Sequence, residues 1–155
     1  MEPAQDLPAE TSAASVVAVP EPVVRMGSVR ALGQHNVHAY LPVLQFRVDI
    51  GRYEDRSSAE VPGFVERLLE WVPELGEHQC SIGRPGGFVE RLQRGTWFAH
   101  ILEHVTIALQ NRMGFAVSFG RARGTGTRGV YQVVIEYEEE VPARAALDAA
   151  LRLVT

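Results

Sequence analysis

Near the middle of the chain, His100-Ile101-Leu102-Glu103-His104 sets two imidazoles and a carboxylate within little more than one helical turn. Histidines at i and i+4 stand one above the other on a helix. Both ring nitrogens can then reach a single zinc ion, at Zn–N distances of about 2.0–2.1 Å. The glutamate beside them is placed to take a proton from water, whose pKa falls to about 7 on zinc. The order His-x-x-Glu-His is the inverted form of the more familiar H-E-x-x-H helix. Five residues alone are weak evidence, because His and Glu also belong on the wet face of an ordinary helix. Two readings stay open: a metal centre with a base beside it, or a solvated polar face.

A catalytic zinc takes three protein ligands and keeps one position open. His78, in the loop Glu77-His78-Gln79-Cys80, is the first candidate for the third ligand, and Glu136 on the last strand is the alternative. Each also has a plain structural reading, as a loop imidazole bonding backbone and as an acid on a solvated edge strand. Cys80 could coordinate, although a lone cysteine is more often a small buried hydrophobe. A second feature is Gly120–Gly129 (GRARGTGTRG), expected to bring Arg121, Arg123 and Arg128 to one hairpin tip, with Arg84, Arg91 and Arg94 adding to them. Guanidinium forks bind carboxylates bidentately, which suits a carboxylate-rich ligand. Neither G-x-x-x-x-G-K-[ST] nor G-x-G-x-x-G is present, so a phosphate loop is not indicated. The plain alternative is a flexible, solubilising tip.

Periodicity locates the elements that must position these groups. Residues 1–27, rich in Ala, Pro, Glu, Ser and Val without a period, are expected to form a flexible leader to a domain over 28–155. Residues 29–32 and 42–50 are expected strands, the second with Leu44, Phe46, Val48 and Ile50 on one face. A helix should start at Pro62 and run through Val72, followed by a short helix from Gly87 to Gly95. Thr96 is the expected N-cap of the main helix, which should end at Gly114. On a helical wheel Phe98, Ile101, Leu102, Val105, Ala108, Leu109 and Met113 gather on one side. His100, Glu103 and His104 fall opposite, with Gln110 and Asn111, and should project towards solvent or a cleft. Strands at about 115–121 and 129–138 and a last amphipathic helix complete the chain. The fold class is α+β: a mostly antiparallel sheet from two hairpins, with three to four helices packed on it.

Composition narrows the function classes. A chain of 155 residues, 46% hydrophobic and 22% charged, is one globular domain able to bury a core. A net charge of −4 argues against nucleic acid, and no apolar run nears the roughly 20 residues that would span a membrane. All fifteen basic residues are Arg, which genomic base composition explains as well as carboxylate binding does. The single Cys80 excludes an internal disulfide and fits the cytoplasm, and the acidic N-terminus lacks the basic start of a secretory signal.

Several blocks then appear in a telling order: His78-Gln79-Cys80, Gly86-Gly87-Phe88-Val89-Glu90-Arg91, Gly95-Thr96, His100 to His104, Phe119-Gly120-Arg121-x-Arg123, and Tyr131-x-Val133-Val134-x-Glu136-Tyr137. Together they closely resemble the N-terminal domain of cyanophycin synthetase, over roughly residues 28–154. Those bacterial enzymes polymerise aspartate and arginine, and follow this domain with ATP-grasp and Mur-ligase-like domains. The resemblance implies a domain that holds an Asp/Arg peptide polymer through charged patches and, in some members, cuts it at a metallopeptidase-like site. By that likeness His100 and His104 would be zinc ligands and Glu103 the general base. Arg121, Arg123 and Arg91 would face aspartate carboxylates, and Glu138, Glu139 and Glu140 the polymer's arginines. The hairpin loop departs from the family's R-T-R-E-T-like stretch, and the leader is foreign to the pattern. The chain stops where the ATP-binding domain would begin, so ligase activity is not expected from it alone. The expectation is a polymer-binding domain that is either a zinc peptidase or a non-catalytic module. Its protein partners would be a separate ligase subunit or further copies of itself.

Overall fold

The computed structural model describes residues 24–155, so most of the expected leader lies outside the described residues. The sheet begins inside that stretch, because β1 (Arg25–Met26) already pairs with β3 (Val43–Asp49). Strand β2 (Arg30–Leu32) pairs with the other half of β3, and β5 (Val130–Glu136) pairs along its length. Strand β4 (Gly120–Gly124) adds to β5, and every pairing is antiparallel. The expected α+β architecture is present.

The alternation read in β3 sets its inner face: Leu44, Phe46, Val48 and Ile50 are buried. Register puts Phe46 opposite Val133 and Val133 opposite Ala122, so these share the side that faces the helices. Against that face pack α3 (Phe98–Arg112) and α4 (Glu140–Val154), the latter through Ala143, Ala146, Leu147 and Ala150. Helices α1 (Phe64–Trp71) and α2 (Gly87–Arg94) flank them, linked by 3-10 turns at Pro73–Glu77 and Cys80–Ile82.

Three sequence expectations need correction. Helix α1 starts two residues after Pro62, because Gly63 at φ +70° lies outside the helical region and ends any earlier turn. Thr96 does not cap α3: Trp97 holds that position in extended backbone, and the Thr96 hydroxyl turns elsewhere. The first strand of the last hairpin begins at Gly120, not 115. The amides of Val117, Ser118 and Phe119 are taken by the side chains of Asn111 and Glu136 rather than by a neighbouring strand. Of the two settings expected for the His/Glu side of α3, solvent or a cleft, the structure shows the cleft. Eleven of the fifteen α3 residues are buried, Glu103, His104 and Gln110 among them, since sheet, α4 and the 3-10 turns surround the helix.

Candidate active site

Helix α3 delivers His100, Glu103 and His104 into a cleft of about 880 Å³, walled by the His78–Ser81 loop on one side and residues 117–122 on the other. Glu103 is 5% exposed and His104 8%, so these groups sit at the bottom of a recess, not on a solvated surface. The loop wall reaches them because of Gly87: a Cβ there would lie 2.0 Å from the Gln79 carbonyl oxygen. The Phe88 amide also donates to the His78 carbonyl at 3.0 Å, pinning the loop to α2. Cys80 adopts φ +51°, a left-handed conformation rare outside glycine and costing on the order of 1–3 kcal/mol. In that bend its Sγ lies 3.4 Å from His100 Nε2.

The donors gather as a set. One ligand atom each from Cys80, His100 and His104 lie within 4.8 Å of one another. His78, the expected third ligand, stands beside this group, with its Nδ1 2.8 Å from His104 Nδ1. The alternative, Glu136, takes no part: its Oε2 accepts the amides of Ser118 and Phe119 at 3.0 and 2.7 Å. The Thr96 hydroxyl lies 2.8 Å from His100 Nδ1, leaving Nε2 as the ring atom turned to Cys80. Burial lowers the pKa of all three imidazoles, with that of His100 at about 4. Neutral rings carry the lone pairs that a metal needs, and a soft thiol beside two imidazoles is a donor set that suits zinc.

Glu103 is governed from the opposite wall. Burial pushes its carboxyl up to about 8, opposed by the Ala122 backbone amide and the Arg121 guanidinium. Gly120 makes this closeness feasible, since a Cβ there would stand 2.6 Å from Glu103 Cγ. The glycine of the Phe-Gly-Arg block is therefore an imprint of the carboxylate it faces.

The arginines divide. Arg91 lines the cleft near His100, and its Nε is buried without a hydrogen-bond partner among the described residues. Arg121 stands at the rim, over the Phe119 ring. Arg84 and Arg94 are both engaged by Glu90, and Arg128 by Asp55, so these three do not join a cluster. The expected three-arginine tip is replaced by something broader. Arg121 and Arg123 lie two apart on the edge strand β4; Arg123 stands on the sheet face away from the helices, and Arg121 borders both that face and the cleft. Cross-strand register aligns Arg123 with Gln132 and Arg47, and Arg121 with Val134, Gln45 and Arg30. Among the described residues none of these four arginines is in an ion pair. Arg30 and Arg47 were missed because two-residue alternation marks a strand's outer face without showing which neighbours share it. Of the acids expected to face polymer arginines, Glu138 accepts the Ala116 amide and Glu140 pairs with Arg144. Glu77 lines the cleft itself.

An α+β domain with an H-x-x-E-H helix at the floor of a cleft, met by a strained cysteine loop, is the class that fold and site define. Residues 45–155 match the cyanophycin synthase-like N-terminal domain, and the chain belongs to that family. It is 46% identical over 111 residues to a cyanophycin synthetase of Crocosphaera subtropica, 44% to one of a Synechocystis species and 47% to one of Trichormus variabilis. Each alignment covers 72% of this chain but only 12–13% of the relative, so the chain spans about an eighth of their length. Among the described residues no helix is long and apolar enough to cross a membrane.

Proposed function

We propose that this domain binds a cyanophycin-like Asp/Arg peptide polymer and hydrolyses it as a zinc-dependent peptidase in the cytoplasm. The observation that carries the reading is the convergence of Glu103 with the Cys80, His100 and His104 donors in a cleft whose rim bears Arg121 and whose wall bears Arg91. His100, His104 and Cys80 are the residues that would hold the ion, with Thr96 and His78 orienting the two rings. Zinc supplies Lewis acidity, polarising a carbonyl and acidifying water. Glu103 then takes the proton from the attacking water and passes it to the leaving nitrogen. Arg121 and Arg91 anchor polymer carboxylates beside the scissile bond. The unpaired row of Arg30, Arg47 and Arg123 holds polymer further along, while Glu77 receives a polymer guanidinium.

A second reading has its own support. The arginine face lies on the side of the sheet opposite α3, so it can hold polymer for a separate ligase subunit whether or not the cleft reacts. Purified protein should carry one equivalent of zinc, lost in His100→Ala/His104→Ala. Glu103→Gln should keep the metal and abolish cleavage of a synthetic Asp/Arg polymer. Unchanged cleavage in that variant would sink the catalytic reading, and metal-free protein that still binds polymer would leave the binding module.

A further inference from the structure

On the outer face of the sheet, across β4 from the cleft, lies a separate pocket of about 340 Å³. Val134 lines it, on the side away from the helices by strand alternation, and is nonetheless only 3% exposed. Register puts Arg123, Gln132 and Arg47 side by side across β4, β5 and β3. Neighbouring strands stand about 4.8 Å apart, so the backbones carrying the two arginines are roughly 10 Å apart. Two guanidinium side chains can close that gap over one small ligand. Arg121 lines the same pocket from two residues along β4. Among the described residues no acidic side chain lines the pocket, and none of its three arginines is in an ion pair.

One lining side chain carries a buried atom with nothing to bond. His38 enters from the loop between β2 and β3, and its Nε2 has no hydrogen-bond partner among the described residues. The loop is built to hold it there. Asn36 Oδ1 accepts the His38 and Ala39 amides at 2.9 and 3.0 Å, and Asn36 Nδ2 donates to the Gly33 and Leu41 carbonyls at 2.9 and 3.0 Å. The His35 amide donates to the Tyr40 carbonyl at 2.9 Å and closes the loop. A buried polar atom without a partner is destabilising, and an acceptor oxygen in the pocket would satisfy it. Three guanidinium groups and an imidazole able to donate from Nε2, over a dry valine and with no competing acid, suit concentrated negative charge. The volume has room for a phosphate group or two neighbouring carboxylates, not for a length of extended polymer.

We propose that this pocket binds one compact dianionic oxyanion, a phosphate group or a pair of carboxylates on a small molecule, through Arg47, Arg121, Arg123 and His38. The proposal rests on the reading above only in taking this face as an anion-binding one; it requires neither cleavage nor polymer. The test is NMR titration of the full chain at constant ionic strength with inorganic phosphate, malonate and acetate. The signals read are the side-chain N–H groups of Arg47 and Arg123 and the His38 ring. Phosphate or malonate should shift them together and saturably, with singly charged acetate about tenfold weaker. Arg47→Gln and Arg123→Gln should each weaken binding roughly tenfold to a hundredfold. His38→Ala should weaken it about tenfold, and His38→Gln, which keeps a donor, should weaken it less. Arg152→Gln removes a cation outside the pocket and should leave the affinity unchanged. Saturation by phosphate alone, or by malonate alone, supports the site and names its ligand class. Shifts that never saturate, acetate binding as tightly as either dianion, or equal losses from Arg152→Gln and Arg123→Gln would overturn the proposal. Binding of a synthetic Asp/Arg polymer is measured in parallel. Protein that takes a dianion but no polymer keeps this site and loses the polymer reading, and the opposite result loses this site.

Discussion

Replacing Glu103 by glutamine should remove a pH-dependent instability from the metal-free protein. Burial raises the Glu103 carboxyl from 4.5 to about 8 against the pull of Ala122 and Arg121. The native state therefore binds the proton more tightly than the unfolded chain does. The contribution to stability is whole below about pH 4.5 and is lost as pH climbs through the folded pKa. A rise from 4.5 to about 8 corresponds to about 5 kcal/mol once the group is fully ionised, at ~1.36 kcal/mol per pH unit. The histidines act in the opposite sense. Their folded pKa values lie below 6.5, so their contribution is present above 6.5 and lost as pH falls, for His100 towards about 4. Natural protein and variant share that behaviour, and it cancels in their difference. Urea unfolding after chelation, compared between pH 5 and pH 9, should show the variant gaining about 4 kcal/mol on the natural sequence. A difference that stays flat across this range would mean the ionised carboxylate is accommodated without cost, and the desolvation reasoning would fail.

Thr96→Val removes the hydroxyl that fixes His100, and zinc affinity measured by chelator competition should fall about 10–100-fold, with Thr96→Ser retaining it. Gly120→Ala drives a methyl group into Glu103 and should cost about 1–3 kcal/mol in urea unfolding. Gly33→Ala, where no atom lies within 4 Å, serves as its neutral control. Leu102→Ala, at a position 0% exposed, should destabilise by about 2–5 kcal/mol, and an unchanged melting temperature would contradict the packing of α3.

What the sequence revealed and what it hid divide along the range of the interactions. Strand β3 and helix α1 emerged from their own periodicity, the first from the alternation of Leu44, Phe46, Val48 and Ile50 and the second from the spacing of Phe64, Leu68 and Trp71. The wheel turned the His/Glu side of α3 towards solvent or a cleft, and it could not choose between them because the helix is enclosed on several sides. Its His/Glu face meets a second wall built from residues 78–81 and 117–122, and only tertiary structure supplies that wall. The role of Thr96 was lost similarly. A threonine before a helix has the composition of a cap, but backbone dihedrals at Trp97 decided where its hydroxyl went. Cys80 could not be ranked above His78 from spacing, because its place beside His100 depends on a left-handed bend that propensity disfavours.

The enclosure of that face also bears on chemistry. Had His100, Glu103 and His104 stood in water, the other of the two settings that the wheel left open, the imidazoles would titrate near neutrality and the carboxylate would ionise freely. Enclosure changes both: the rings become neutral donors and Glu103 holds a proton to about pH 8 without metal. A cation arriving among Cys80, His100 and His104 would favour the ionised Glu103 and release that proton, turning a poor base into a competent one. Metal binding at pH 7 should therefore liberate more protons in the natural sequence than in Glu103→Gln, measurable by titration calorimetry in buffers of different ionisation enthalpy. Equal release from the two proteins would show that Glu103 is already ionised and that its burial does nothing to couple the base to the ion.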